Sequence, residues 1–188
     1  MRIIGGRFKG LGLASLGKGD AAAHLRPTTD RVRESLFSML EGGRFGAPIE
    51  DAIVLDLFAG TGALGLEALS RGAAHVTFVE NGRAALSLLT ANIAKTRCKD
   101  ETRVLRQDAT RLGQCTAQAA SLVFLDPPYG SGKGARAIEA ALAGGWVESE
   151  ALIVWEDDHE AETQAGLDKL DARRFGQTWL TFFSVRDS

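Results

Sequence analysis

The sequence predicts an α/β domain: a mostly parallel sheet covered by helices on both faces, with an antiparallel hairpin at one edge. Three observations carry this. From Ile53 onward, short apolar runs alternate with segments of helical periodicity. A glycine-rich turn, Gly60-Thr61-Gly62-Ala63-Leu64-Gly65, sits between the first strand and the first helix of that series. The chain closes with two strand-like pieces separated only by Gly176-Gln177. Alternation gives parallel strands joined by crossover helices, whereas a short turn can join only antiparallel neighbours.

The elements follow in order. The first segment, to about Ala23, has a strand-like Ile3-Ile4 and then glycines 5, 6, 10, 12, 17 and 19, so it reads as a hairpin or arm holding no core element. Pro27-Thr28-Thr29-Asp30 offers cap residues for a helix with Val32, Leu36, Phe37 and Leu40 on one face, stopped by Gly42-Gly43. Ile53–Leu57 is a strand, Ala63–Arg71 a helix, and His75–Val79 a strand ending at Glu80. Arg83–Lys95 is helical with Leu86, Leu89 and Ile93 in register, and Arg103–Arg106 is a third strand before Asp108. Ser121–Leu125 is a fourth, buried strand, Ala135–Ala143 a helix, and Ala151–Trp155 a fifth strand. Pieces around Arg173–Phe175 and Trp179–Val185 make the hairpin. Residues 1–25 are expected to form a basic arm and residues 26–188 the main domain.

Composition narrows the class. A length of 188 residues suits one domain, and 45% hydrophobic residues is ordinary for a globular protein. No apolar run approaches the roughly 18 residues of a membrane helix, and the N-terminus lacks a secretory pattern. Cys98 and Cys115 have no CxxC spacing, and His24, His75 and His159 form no zinc pattern, so neither disulfide nor metal is expected and a reducing cytoplasm fits. The net charge is −2, yet residues 1–33 carry Arg2, Arg7, Lys9, Lys18, Arg26, Arg31 and Arg33 against Asp20 and Asp30. A basic end on a mildly acidic chain points to a local polyanion contact.

The glycine turn satisfies GxGxxG in its required strand–turn–helix context, with Glu80 ending the next strand where a ribose-binding acid is expected. It supports a nucleoside cofactor without naming one, and tight strand–helix packing is the alternative reading. Asp56, four residues before the turn, favours S-adenosylmethionine: it suits an ammonium group and would repel a pyrophosphate. Asp108 can accept from an adenine amine or cap the segment after it.

Asp126-Pro127-Pro128-Tyr129 then identifies the chemistry. Two prolines fix an extended turn at the carboxyl end of a strand, where open α/β sheets place their ligands. The Asp126 carboxylate and the Pro127 carbonyl can each take one hydrogen of an exocyclic –NH2 while Tyr129 stacks on the base. Such a grip suits methyl transfer to a nucleobase amine.

Asp56-Leu57-Phe58-Ala59-Gly60-Thr61-Gly62 and the tetrad resemble motifs I and IV of class I S-adenosylmethionine-dependent amino-methyltransferases. Met1-Arg2-Ile3-Ile4-Gly5-Gly6 and the stretch from Leu25 to Phe37 (LRPTTDRVRESLF) further resemble the bacterial 16S ribosomal RNA guanine-N2 methyltransferase family, RsmD. The resemblance spans nearly the whole chain, departing where Leu13 to Ala23 is longer and richer in glycine and alanine. It implies a Rossmann-like, seven-stranded class I sheet and S-adenosylmethionine contacts at Asp56, Phe58, Ala59, Gly60, Gly62, Glu80, Asp108 and Ala109. It also implies a catalytic Asp126, Pro127 and Tyr129, a guanine amine as target, and a monomer acting on 16S ribosomal RNA in the small subunit. Arg2, Arg7, Lys9, Arg26, Arg31 and Arg33 are the candidate phosphate contacts, with ion pairs to Asp30 or Glu34 as the alternative for the last three. The motifs leave open an adenine-N6 or cytosine-N4 nucleic-acid methyltransferase. More remotely, GxGxxG suits a nicotinamide-dependent oxidoreductase, for which no catalytic His, Lys or Tyr constellation follows.

Overall fold

The computed structural model describes residues 1–15 and 29–187. Arg26 and Thr28, and most of the Leu13–Ala23 stretch, lie outside the described residues. Seven strands form one sheet: β1 (Ile53–Leu57), β2 (His75–Val79), β3 (Thr102–Leu105), β4 (Ala120–Leu125), β5 (Val147–Asp157), β6 (Leu167–Phe175) and β7 (Thr178–Val185). Their spatial order is β3-β2-β1-β4-β5-β7-β6. The first five run parallel, and β7 inserts antiparallel between β5 and β6. Order reverses between β1 and β4, which opens a crevice at the carboxyl ends of those two strands.

Residue parity along the strands divides the core in two. Val54, Leu122, Phe124, Leu152, Val154, Leu180 and Phe182 face one layer, built with α1 (Asp30–Glu41), α2 (Ala63–Ser70) and α3 (Arg83–Thr96). Leu55, Leu57, Val123, Leu125, Ile153, Trp155 and Phe183 face the other, built with α4 (Lys133–Ala143). Period-2 alternation delivers neighbouring residues to opposite faces, so these near-continuous apolar runs need helices on both sides. Among the described residues, no helix is long and apolar enough to cross a membrane.

Three expectations need correction. The N-terminal segment does hold core residues: Ile3 is fully buried and Leu13 nearly so, both against α1 and α2. Main-chain bonds from Ile3 to Leu11 (3.0 Å) and from Gly10 to Ile3 (2.9 Å) fold it into a hairpin around a turn of 3-10 helix, Gly6–Phe8. Its ends are pinned by side chains of the main domain. Glu67 accepts from the Ile4 and Gly5 amides, and Asn92 bonds both the amide and the carbonyl of Ala14.

Strand β6 begins at Leu167, six residues before the expected Arg173. Its stretch Asp168-Lys169-Leu170-Asp171 exposes charge, and the register slips between Lys169 and Asp171. Charges and a bulge protect an edge strand from further pairing, and they erase the apolar alternation by which a strand is recognised. β5 likewise starts four residues early, at Val147.

Candidate active site

The turn after β1 is held rigidly. Ala59 N–H bonds the Val79 carbonyl (3.1 Å), Gly62 N–H the Ala59 carbonyl (2.7 Å), and Gly65 N–H the Asp56 carboxylate (3.0 Å). Phe58 sits in the left-handed region at φ 60°, a conformation a bulky residue adopts only when its surroundings impose it. The glycines divide their duties. A Cβ on Gly65 would lie 2.4 Å from the Phe78 ring, so Gly65 is required by helix–sheet packing, and one on Gly62 would lie 2.4 Å from the Leu89 side chain of α3. Gly62 also needs its φ of +80° as it opens α2. Thus the packing reading of the motif holds for Gly65, and the turn the two create leaves the amino end of α2 at the crevice.

Glu80 organises the next edge. Its carboxylate accepts from the amides of Gly60 (2.9 Å), Asn81 (2.9 Å) and Gly82 (2.6 Å). Asp108 accepts from both the amide and the hydroxyl of Thr110, and these bonds hold its pKa below the usual carboxylate value. It therefore caps the 3-10 turn Ala109–Arg111, as the capping alternative expected. Ala109 is buried beneath that turn.

Acidic groups collect where β1, β4 and β5 end. Leu125 is level with Trp155, so Asp126 and Glu156 emerge side by side on adjacent strands, with Asp56 on β1 close behind. Burial, followed by the charges of Glu156, Asp56 and Asp157, raises the Asp126 pKa well above its ordinary value. Burial, opposed by the Gly65 amide and reinforced by Glu80, lifts Asp56 from 3.8 to about 7. Such a cluster is favourable to a cation and hostile to a phosphate. The donor set accordingly fits S-adenosylmethionine, which brings a sulfonium and an ammonium, and does not fit the pyrophosphate of a nicotinamide dinucleotide.

In the tetrad, the Asp126 amide reaches the Leu57 carbonyl at 3.4 Å and the Pro128 carbonyl is taken by Ser131. No described residue donates to the Asp126 carboxylate or to the Pro127 carbonyl. Asp126 is partly exposed and Pro127 is buried. Tyr129 is half-buried, its hydroxyl bonded to Thr178 and its pKa pushed up to about 12, chiefly by burial. It lines a cleft of about 280 Å³ with Asp158, Arg174 and Gln177. The last three were not singled out from the sequence. Asp158 continues an acidic run directly after an apolar strand, the same signature as Asp126, but hairpin pairing alone brings Arg174 and Gln177 opposite.

The candidate phosphate contacts separate. Arg2, Lys9 and Arg31 are exposed. Arg7 is exposed but ion-paired with Glu101 and stacked over the Phe8 ring at 4.6 Å. Arg33 is the correction: it is fully buried, bonded to the Arg2 carbonyl and Asp30 and 3.6 Å from Glu67, and cannot meet a phosphate. Its position on α1 is one turn from Phe37 and Leu36, on the helix's core face.

The chain is 42% identical over 161 residues to ribosomal RNA small subunit methyltransferase D of Escherichia coli, covering 85% of this chain and 76% of that protein. It is 36% identical over 163 residues to the protein of the same name from Haemophilus influenzae, covering 85% and 80%. The solved structure of Escherichia coli yhhF superposes with a TM-score of 0.81 at 36% identity, over 100% of this chain and 99% of that one. The family model described as conserved hypothetical protein 95 matches residues 1–184. With the class I methyltransferase sheet and these relatives, the chain belongs to that family, the RsmD family.

Proposed function

We propose that the protein transfers the methyl of S-adenosylmethionine to the exocyclic N2 of a guanine in the 16S RNA of the small ribosomal subunit, acting in the cytoplasm as a monomer. One observation supports the amine chemistry: the Asp126 carboxylate and the Pro127 carbonyl, both acceptors, follow β4 at the topological switch point beside the acid cluster of Asp56, Glu156 and Asp157. The RNA substrate is supported by the E. coli relative, which is named for ribosomal RNA of the small subunit.

When bound, S-adenosylmethionine supplies an electrophilic methyl on a positively charged sulfur. Asp56 and the turn from Phe58 to Gly62 would hold its methionine portion, and Glu80, with Asp108 and Ala109, its nucleoside. Asp126 and Pro127 accept the two amine hydrogens and so turn the nitrogen lone pair, otherwise delocalised into the ring, toward the methyl. Orientation of this kind lowers barriers by several kcal/mol, up to roughly 7–11 for ideal alignment. The nitrogen becomes strongly acidic as the bond forms, and its proton passes to Asp126 or to water. Tyr129 stacks on the extruded base, a contact worth about 1–3 kcal/mol. Arg2, Lys9 and Arg31 contact phosphates, with Arg7 joining if it leaves Glu101.

The test uses purified protein, labelled S-adenosylmethionine and small subunits lacking the modification, beside naked RNA and duplex DNA. Label in guanine N2 of the subunit RNA is expected. Label confined to DNA or to adenine overturns the proposal. Asp126→Ala abolishes transfer while S-adenosylmethionine still binds; activity near wild type refutes the amine contact.

A further inference from the structure

The cleft beside the tetrad presents acceptors and donors in an ordered row. Strand register sets the order. Asp126 and Pro127 follow β4; Asp157 of β5 pairs with Trp179 of β7, which pairs in turn with Arg174 of β6. Moving outward from the tetrad, the sheet's carboxyl edge therefore offers two acceptors, then the acidic end of β5, then an arginine from the hairpin. Tyr129, Asp158, Arg174 and Gln177 line one cleft of about 280 Å³, room for a single nucleobase.

Two lining groups, Asp158 and Arg174, define the chemistry of the cleft. Asp158 is exposed and bonded to His159 Nδ1 (2.7 Å), which holds its carboxyl below the usual range, so it is an acceptor only. Arg174 is exposed and donates Nε–H to the Gly176 carbonyl (2.9 Å), a bond that leaves its terminal nitrogens without a partner among the described residues. Its neighbour Arg173 is instead paired with Asp171 (3.2 Å). Guanine's Watson–Crick edge reads, in sequence, an N2 amine, an N1–H donor and an O6 acceptor. Adenine's reads an N1 acceptor beside its N6 amine, which would face the Asp158 carboxylate with no hydrogen between them.

We propose that Asp158 and Arg174 select guanine, Asp158 accepting from N1–H and the Arg174 guanidinium donating to O6, while Asp126 and Pro127 hold N2 and Tyr129 covers the ring. This rests on the guanine-N2 reading above and adds the residues that enforce it. Asp158 and Arg174 are exposed until a base seated in the cleft covers them, and an analogue lacking N1–H or O6 then leaves the covered groups without a partner.

The experiment separates amine chemistry from edge reading. The nucleotide methylated in guanine-containing small subunits is mapped first, and subunits are then reconstituted with 2-aminopurine there. This base keeps the N2 amine but has a bare N1 lone pair and no O6. The wild-type enzyme is expected to lose roughly 10- to 100-fold in kcat/KM on 2-aminopurine. Asp158→Asn, whose amide can donate to N1, should bring the two substrates within about threefold of each other, and Arg174→Ala should lower the rate on guanine about tenfold while sparing 2-aminopurine. Equal wild-type rates on the two bases, or variants that keep the wild-type preference, overturn the inference while leaving the guanine-N2 reading standing. No transfer to guanine by the wild-type enzyme overturns that reading and this one with it.

Discussion

Asp56→Asn should make the protein's stability much less dependent on pH. Asp56 is 1% exposed, and its pKa rises from 3.8 to about 7 on folding because burial outweighs its bond from Gly65. The folded state thus keeps a proton that the unfolded chain releases above about pH 4. Stability from this group is fully present below pH 4, is lost by about 1.4 kcal/mol per pH unit through the interval, and levels off above pH 7. A difference of about three units corresponds to about 4 kcal/mol in all. Asparagine has nearly the same shape, still accepts from the Gly65 amide and does not titrate. Urea unfolding of both proteins from pH 5 to pH 8 is the assay. The variant's stability should gain on the wild type by about 3 kcal/mol between pH 5 and pH 7.5. A difference that stays constant across this range would show that Asp56 is ionised in the folded protein at pH 5 and would refute the account of the acid cluster.

Three further outcomes follow from the geometry. Gly65→Ala places a methyl 2.4 Å from the Phe78 ring and should cost about 1–3 kcal/mol in unfolding free energy, while the same change at exposed Gly113 should be close to neutral. Arg33→Ala empties a fully buried site while Glu67 keeps Arg71 and the Ile4 and Gly5 amides, so it should destabilise by about 1–3 kcal/mol with no change in the salt dependence of RNA binding; a reduced salt slope would return Arg33 to the phosphate contacts. Replacing Arg2, Lys9 or Arg31 by alanine should reduce the log–log salt slope of subunit binding by about 0.7–0.9 each, with thermal unfolding unaltered.

Much of the fold could be read along the chain because its signals are local. The strands Ile53–Leu57 and His75–Val79 are largely apolar with β-branched residues, so pattern alone locates them. The tetrad's place in the chain was legible for the same reason: two prolines after an apolar run leave few conformations, and Asp126 and Pro127 do follow directly on β4. The arm misled because glycine content signals turns but says nothing of Ile3, a single apolar residue whose burial depends on α1 and α2 arriving to cover it. Strand β6 was foreshortened because edge strands are marked by charge.

By itself, then, the sequence determined the alternation of elements, the rigid amine-gripping turn and the acids at strand ends, since each is set by neighbours within a few residues. Tertiary structure alone decided which charges work where. Arg33 and Arg31 are two residues apart on one helix, yet helical rotation buries the first against Glu67 and leaves the second in solvent. Asp126 and Glu156 are thirty positions apart, and parallel pairing of β4 with β5 sets them together and raises the Asp126 pKa. Arg174 faces Tyr129 only because β7 inserts between β5 and β6. Charge and hydrogen bonding act through space, and strand pairing across the sheet assigns those distances.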